Sequence, residues 1–112
     1  ALITALKQIC NGIEGSSSKT EWLIEYLSNA VESGDKALVF SQYVTALETL
    51  KSDLKKISTE LFTGSLSSRQ RDRVIDEFQQ KDTVDALLIS LRAGGVGLTL
   101  TAANRVVHFD SW

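Results

Sequence analysis

Cys10 and His108 are the only cysteine and the only histidine in 112 residues. One cysteine permits neither an internal disulfide nor a CxxC metal spacing, and it fits a reducing, intracellular setting. Cys10 lies on an apolar helical stripe and reads as a core residue. His108 sits inside Val106-Val107-His108-Phe109 and reads as packed or hydrogen-bonded, not as a ligand or general base. Without another histidine no catalytic triad assembles, so no catalytic residue and no metal ligand is expected. No apolar run is long enough to span a bilayer. The start, Ala1 to Lys7, lacks the charged segment and long apolar core of a signal peptide. There is no initiator Met, and Trp112 follows directly on an expected strand, so the chain reads as a piece of a longer protein. Strong charge is missing too. A net charge of −2 does not by itself suggest a nucleic-acid binder. All five arginines, however, fall in the second half, at 69, 71, 73, 92 and 105. The guanidinium fork suits bidentate phosphate contacts, so a local basic surface is compatible with a mildly acidic domain.

The hydrophobic content of 43% is ordinary for a soluble globular chain, and the length allows one domain with a real core. Leu2, Ile3, Leu6 and Ile9 follow the 3.6-residue period of a short amphipathic helix. Asn11 to Ser18 carries two glycines and three serines and reads as a loop. Residues 1–18 therefore form a leading helix and loop, and 19–112 form the core of the single domain. Ser18 is expected to cap the next helix with Glu21 as its capping-box partner. That helix buries Trp22, Leu23, Tyr26, Leu27, Ala30 and Val31 and stops at Ser33-Gly34-Asp35.

Lys36 to Ser41 does not alternate and reads as a central strand. A helix follows with Val44, Leu47, Leu50 and Leu54 on its buried face; Lys51, Lys55 and Lys56 suit its last turns as solvated charge at the negative end of the dipole. Strands are expected at Ile57 to Thr63, Val84 to Ser90 and Arg105 to Asp110. Between the first two lies a helix capped by Ser67 with Gln70, burying Val74, Ile75 and Phe78. This alternation implies an α/β fold, a parallel sheet flanked by helices on both faces. Ligands of such sheets gather at the carboxyl ends of the strands. Ser41-Gln42, Thr63-Gly64, Ser90 through Gly97, and Asp110 should therefore meet along one edge. Arg71 shares the inward face of its helix and should reach toward that edge, either pairing with a carboxylate such as Asp110 or holding a phosphate.

The stretch from Leu87 to Thr99 organises the rest. An apolar strand breaks into Gly94, Gly95 and Gly97, and a Thr/Ala-rich segment, Thr99 to Ala103, follows. Glycines let backbone N–H groups approach an anion closely, and a helix start adds favourable partial charge. A tight turn with no ligand has the same sequence signature.

Together these stretches resemble the second RecA-like lobe of helicase superfamily 2, in particular the SWI/SNF-type DNA translocases. Lys36-Ala37-Leu38-Val39-Phe40-Ser41-Gln42-Tyr43 resembles motif IV. Leu61-Phe62-Thr63-Gly64, with Arg71 seven residues after the glycine and Phe78 beyond, resembles motif IVa. Leu88 through Asp110 resembles motif V and the strand after it, a long and specific match. Leu6 to Asn11 resembles the segment leading into the lobe. The chain departs from the family pattern at Gly12, where a His-Pro pair is usual (this chain has no proline), and at Thr99, where Asn is common. Motif VI, which follows a second Trp in the family, lies past Trp112.

The resemblance implies the second motor lobe of an ATP-dependent double-stranded-DNA translocase or remodelling ATPase, and places it in the cytoplasm of a prokaryote or the nucleus of a eukaryote. It implies ATP and Mg2+ shared with a first RecA-like lobe of the same parent chain, double-stranded DNA as partner, and no membrane. By resemblance, Ser41, Gln42, Thr63, Gly64, Arg71, Ser90 and Arg92 are candidates for DNA backbone contact. Gly95, Gly97, Leu98 and Thr99 are candidates for the nucleotide-facing turn. The isolated chain is expected to hold no cofactor and to hydrolyse no ATP, because the first lobe and motif VI complete the site. Two other readings stay open: a small dinucleotide-binding enzyme domain, weakened by Leu100 where GxGxxG needs glycine, and a non-catalytic interaction module with a purely structural glycine loop.

Overall fold

Side chains on a strand alternate between faces, and a strand buried on both faces reads as an unbroken apolar run. Ala37-Leu38-Val39-Phe40 and Ala86-Leu87-Leu88-Ile89 are such runs, and they form the two inner strands of the sheet. The computed structural model of this chain describes residues 16–91 and 100–111. In chain order the elements are α1 (Ser16–Glu32), β1 (Ala37–Ser41), α2 (Val44–Asp53), β2 (Thr59–Phe62), α3 (Ser68–Gln80), β3 (Ala86–Ser90), β4 (Arg105–His108) and a 3-10 turn, Phe109–Ser111. The four strands are parallel in the order β2-β3-β1-β4.

Helices cover both faces, as the sequence pattern requires. On one face Leu23 and Leu27 of α1 and Leu47 and Leu50 of α2 pack on Ala37, Val39, Ala86, Leu88 and Val107. On the other, Val74 and Phe78 of α3 pack on Leu38, Phe62, Leu87 and Ile89, joined by Leu100. The α/β reading with a doubly covered parallel sheet is thus observed.

Local chemistry sets the helix ends. Ser67 caps α3 by accepting from the Gln70 N–H at 3.2 Å, while the Gln70 side chain accepts from the Ser67 N–H at 2.8 Å. Gly34 closes α1 at φ +79, a conformation that costs glycine little. The Gly34 N–H reaches the Val31 carbonyl and the Asp35 N–H the Ala30 carbonyl, both at 2.9 Å, satisfying carbonyls at the helix end.

Several expectations need correcting. Helix α1 begins at Ser16, so Ser18 lies within it and is not its cap. Serine costs a helix only a few tenths of a kcal/mol, and the packed Leu23–Leu27 face can carry the extra turn. Val44 is exposed, because it opens α2 at the edge of the sheet. Strand β4 stops at His108, and Asp110 sits in the 3-10 turn. Lys51 is not merely solvated: its ammonium donates to the Thr59 carbonyl at 2.5 Å, tying α2 to the start of β2. His108 stacks on Phe40 with ring centroids 5.2 Å apart, the packed role expected of it. The leading helix over residues 1–10, with Cys10, lies outside the described residues, as does the glycine stretch from Arg92 to Thr99.

At the amino end of the sheet, Asp35 receives Asn104 Nδ2 at 2.7 Å and Arg105 Nε at 2.9 Å. Arg105 continues over the Tyr26 ring, 5.4 Å from its centroid. The Asn104 amide and, secondarily, the Arg105 guanidinium hold the Asp35 carboxyl below its ordinary range. Tyr26 first and Asp35 second push the guanidinium of Arg105 up. A carboxyl with a lowered folded pKa contributes stability above its unfolded pKa and loses it as pH falls through the folded value. Asp35→Asn should therefore lower Tm at pH 7, and the gap from wild type should close on acidification below about pH 4. A gap independent of pH in thermal melts would contradict this.

Candidate functional site

The parallel register places the ends of β1 and β3 side by side, with Ser41 opposite Ser90 and Phe40 opposite Ile89. Phe62, the last residue of β2, also pairs with Ile89. Three of the expected strand ends therefore lie on one edge, in the order β2, β3, β1, and Asp110 joins them from the turn after β4.

The exits of β1 and β2 are each held by their own polar contacts. After β1, the Ser41 hydroxyl donates to Asp110 Oδ1 at 2.7 Å and accepts from the Tyr43 N–H at 3.0 Å. The Gln42 N–H donates to Asp110 Oδ2 at 2.6 Å. One carboxylate thus fixes the turn that presents Gln42 and Tyr43, both exposed. After β2, Thr63 Oγ1 and Ser65 Oγ are hydrogen-bonded at 2.8 Å. Arg71 reaches back from α3, donates from Nη2 to the Gly64 carbonyl at 3.3 Å, and lies over the Phe62 ring, 5.8 Å from its centroid. Among the described residues its buried Nε has no hydrogen-bond partner.

The sequence candidates divide by burial. Ser41, Thr63 and Ser90 are on the edge but buried, at 0%, 6% and 1% exposure. Gln42 and Gly64 are exposed and Arg71 is half-exposed. Arg92, Gly95, Gly97, Leu98 and Thr99 lie outside the described residues. The expected alternative of an Arg71–Asp110 pair is not what forms. Arg71 belongs to the β2 side of the sheet, and Asp110 follows β4 at the opposite edge. Three interstrand steps of about 4.8 Å separate them.

Sequence reasoning missed three residues. Tyr43 and Leu91 stand exposed on this edge, at 59% and 47%. Gln79, on α3, holds the segment that returns toward β4: Nε2 donates to Thr101 Oγ1 at 3.1 Å, and Oε1 accepts from the Ala102 N–H at 2.8 Å. A signal for Gln79 was present, since Arg71, Ile75 and Gln79 recur every fourth residue along one stripe of α3.

Among the described residues no cluster of His, Cys, Asp and Glu could hold a metal ion, and no helix is long and apolar enough to cross a membrane. The edge offers backbone groups, an amide, a phenol and a guanidinium. Such groups can hold phosphates by hydrogen bonding and charge, without acid–base chemistry.

Comparison with known proteins bears on the family and the fold. Residues 18–112 match the family model described as helicase conserved C-terminal domain. The chain is 40% identical over 98 residues to the DNA repair protein RAD5A of Arabidopsis thaliana, covering 86% of this chain and 10% of that one. It superposes on the Sulfolobus solfataricus SWI2/SNF2 ATPase C-terminal domain with TM-score 0.72 and 34% identity, covering 84% of this chain and 42% of that one. The SWI2/SNF2 ATPase core of the same organism in complex with double-stranded DNA gives TM-score 0.72 and 31% identity, over 84% of this chain and 20% of that one. The chain spans 8% to 14% of the length of such curated relatives.

Proposed function

This chain belongs to the helicase conserved C-terminal domain family, among the SWI2/SNF2-type ATPases, and from that premise we propose that it is the second motor lobe of an ATP-dependent double-stranded-DNA translocase. The observation that carries the reading is the shared edge: the exits of β1, β2 and β3 converge, and they present exposed Gln42, Tyr43 and Gly64 beside half-exposed Arg71. A motor must hold backbone phosphates without reading sequence, and these groups suit that task. Ser41, Thr63 and Ser90 serve the grip from beneath, as buried hydroxyls that shape the turns. Gly64 supports the reading: a Cβ there would meet nothing within 4 Å. Packing leaves this position open to whatever meets the edge from outside.

ATP binds the parent between this lobe and a first lobe, and Gly95, Gly97, Leu98 and Thr99 are the residues of this chain proposed to face it. Phosphates are held by backbone N–H groups and cations, and the residues proposed for that task lie outside the described residues. This lobe's part is to grip, to release, and to transmit the motion between lobes.

In the full-length protein, Arg71→Ala should lower DNA-stimulated ATP turnover several-fold. It should also reduce the salt dependence of DNA binding by about one phosphate contact. Lys55→Ala, at the exposed end of α2 away from the edge, should stay within about two-fold of wild type on the same exposed-charge reasoning. Equal effects of the two substitutions would overturn the placement of the grip.

A further inference from the structure

The second contact of α3 lies at its far end. Arg71, near its start, binds the Gly64 carbonyl after β2. Gln79, two turns on along the same stripe, binds Thr101 and Ala102, just after the glycine stretch. Ile75 lies between them, half-buried against the second core. The segment Gln79 holds is itself well anchored: Leu100 is buried at 3%, and the Ala103 N–H turns back to the Leu100 carbonyl at 3.3 Å. One helix therefore joins an exit on the proposed DNA edge to the Leu100–Ala102 segment that leads into β4. Lys36 secures the end of that helix, donating to the carbonyls of Phe78 and Lys81.

We infer that Gln79 is a positioning residue for the motor: it makes α3 and the Leu100–Ala102 segment move as one piece, so that movement at the Arg71 end reaches the segment that leads into β4. This rests on the translocase reading above. A primary amide suits the role because it donates and accepts at once, here closing onto a hydroxyl and a backbone N–H. Gln79→Leu keeps approximate size and removes both hydrogen bonds. Gln79→Glu still accepts from the Ala102 N–H, and the Thr101 hydroxyl can donate to its other oxygen, so it is the rescuing variant.

The test uses the full-length protein and two readouts. Hydrogen exchange at the Ala102 amide reports the clamp itself. Base pairs moved per ATP hydrolysed report coupling, a ratio that loss of folded protein leaves unchanged. Gln79→Leu should speed exchange at Ala102 at least ten-fold and lower the distance per ATP at least two-fold, with Gln79→Glu close to wild type in both. Unchanged exchange in Gln79→Leu would overturn the clamp. Faster exchange with a wild-type distance per ATP would overturn the positioning role while leaving the translocase reading intact. A wild-type protein that hydrolyses ATP on DNA without moving would overturn that reading, and this role with it.

Discussion

Replacing Phe78 with alanine should cost the lobe about 3–5 kcal/mol, the range for emptying a fully buried aromatic site. Phe78 is at 0% exposure and packs among Leu38, Phe62, Val74, Leu87 and Ile89 beneath α3. The Lys36 ammonium also lies 5.0 Å from its ring centroid and binds its carbonyl, so the ring sits where α3 is fastened to β1. Among the described residues the second face of the sheet has one helix to cover it, and Phe78 and Val74 are the buried residues of that helix. Little else is available to fill the space. A domain of this kind holds about 5–15 kcal/mol in total, so the variant should unfold at much lower urea, followed by far-UV circular dichroism. A shift equivalent to under about 1 kcal/mol, the level of an exposed site, would contradict the packing described.

Asp110→Ala should produce the largest functional loss of any single change on the edge. The carboxylate holds the Ser41 hydroxyl and the Gln42 N–H together, and hydrogen bonds to a charged group are worth about 1.5–3 kcal/mol each. Its removal leaves the buried Ser41 hydroxyl only the more distant Tyr43 carbonyl, at 3.5 Å, and frees the turn that presents Gln42 and Tyr43. Displacing a positioning group by about 1 Å can cost on the order of a hundred-fold in rate. DNA-stimulated ATP turnover of the full-length protein should therefore fall at least about ten-fold, while overall folding survives because the core is untouched. Turnover within two-fold of wild type would show that this turn takes no part in the grip.

Features fixed by neighbours in the chain were legible in advance. The Ser67–Gln70 capping box and the glycine that ends α1 are problems of four residues or fewer, and the structure has both; the same signature at Ser18 and Glu21 misleads, because α1 starts earlier, at Ser16. The doubly buried strands announced a parallel sheet because apolar runs without alternation have few other uses. Strand order is a different matter. Nothing in the sequence says that β4 lies beside β1 and β2 at the far edge, and that order decides that Asp110 meets Ser41 while Arg71 turns to Gly64. Burial at the strand ends was hidden for a similar reason. A serine after an apolar run looks exposed, but Ser41 and Ser90 are the last paired residues of their strands, opposite each other and buried. Gln79 escaped notice because its partners are 22 and 23 residues away.

The central claim is that DNA meets the carboxyl edge of this sheet. It is tested most directly by crosslinking from single positions. Cysteines placed one at a time at Gln42, Gly64, Lys55 and Asp82 of the full-length protein, in a background lacking other reactive cysteines, would carry a short photoactivatable group during binding to duplex DNA. The account predicts crosslinks from positions 42 and 64 and few from 55 and 82, which lie away from the edge. Crosslinks from 55 and 82 that equal or exceed those from 42 and 64 would contradict it.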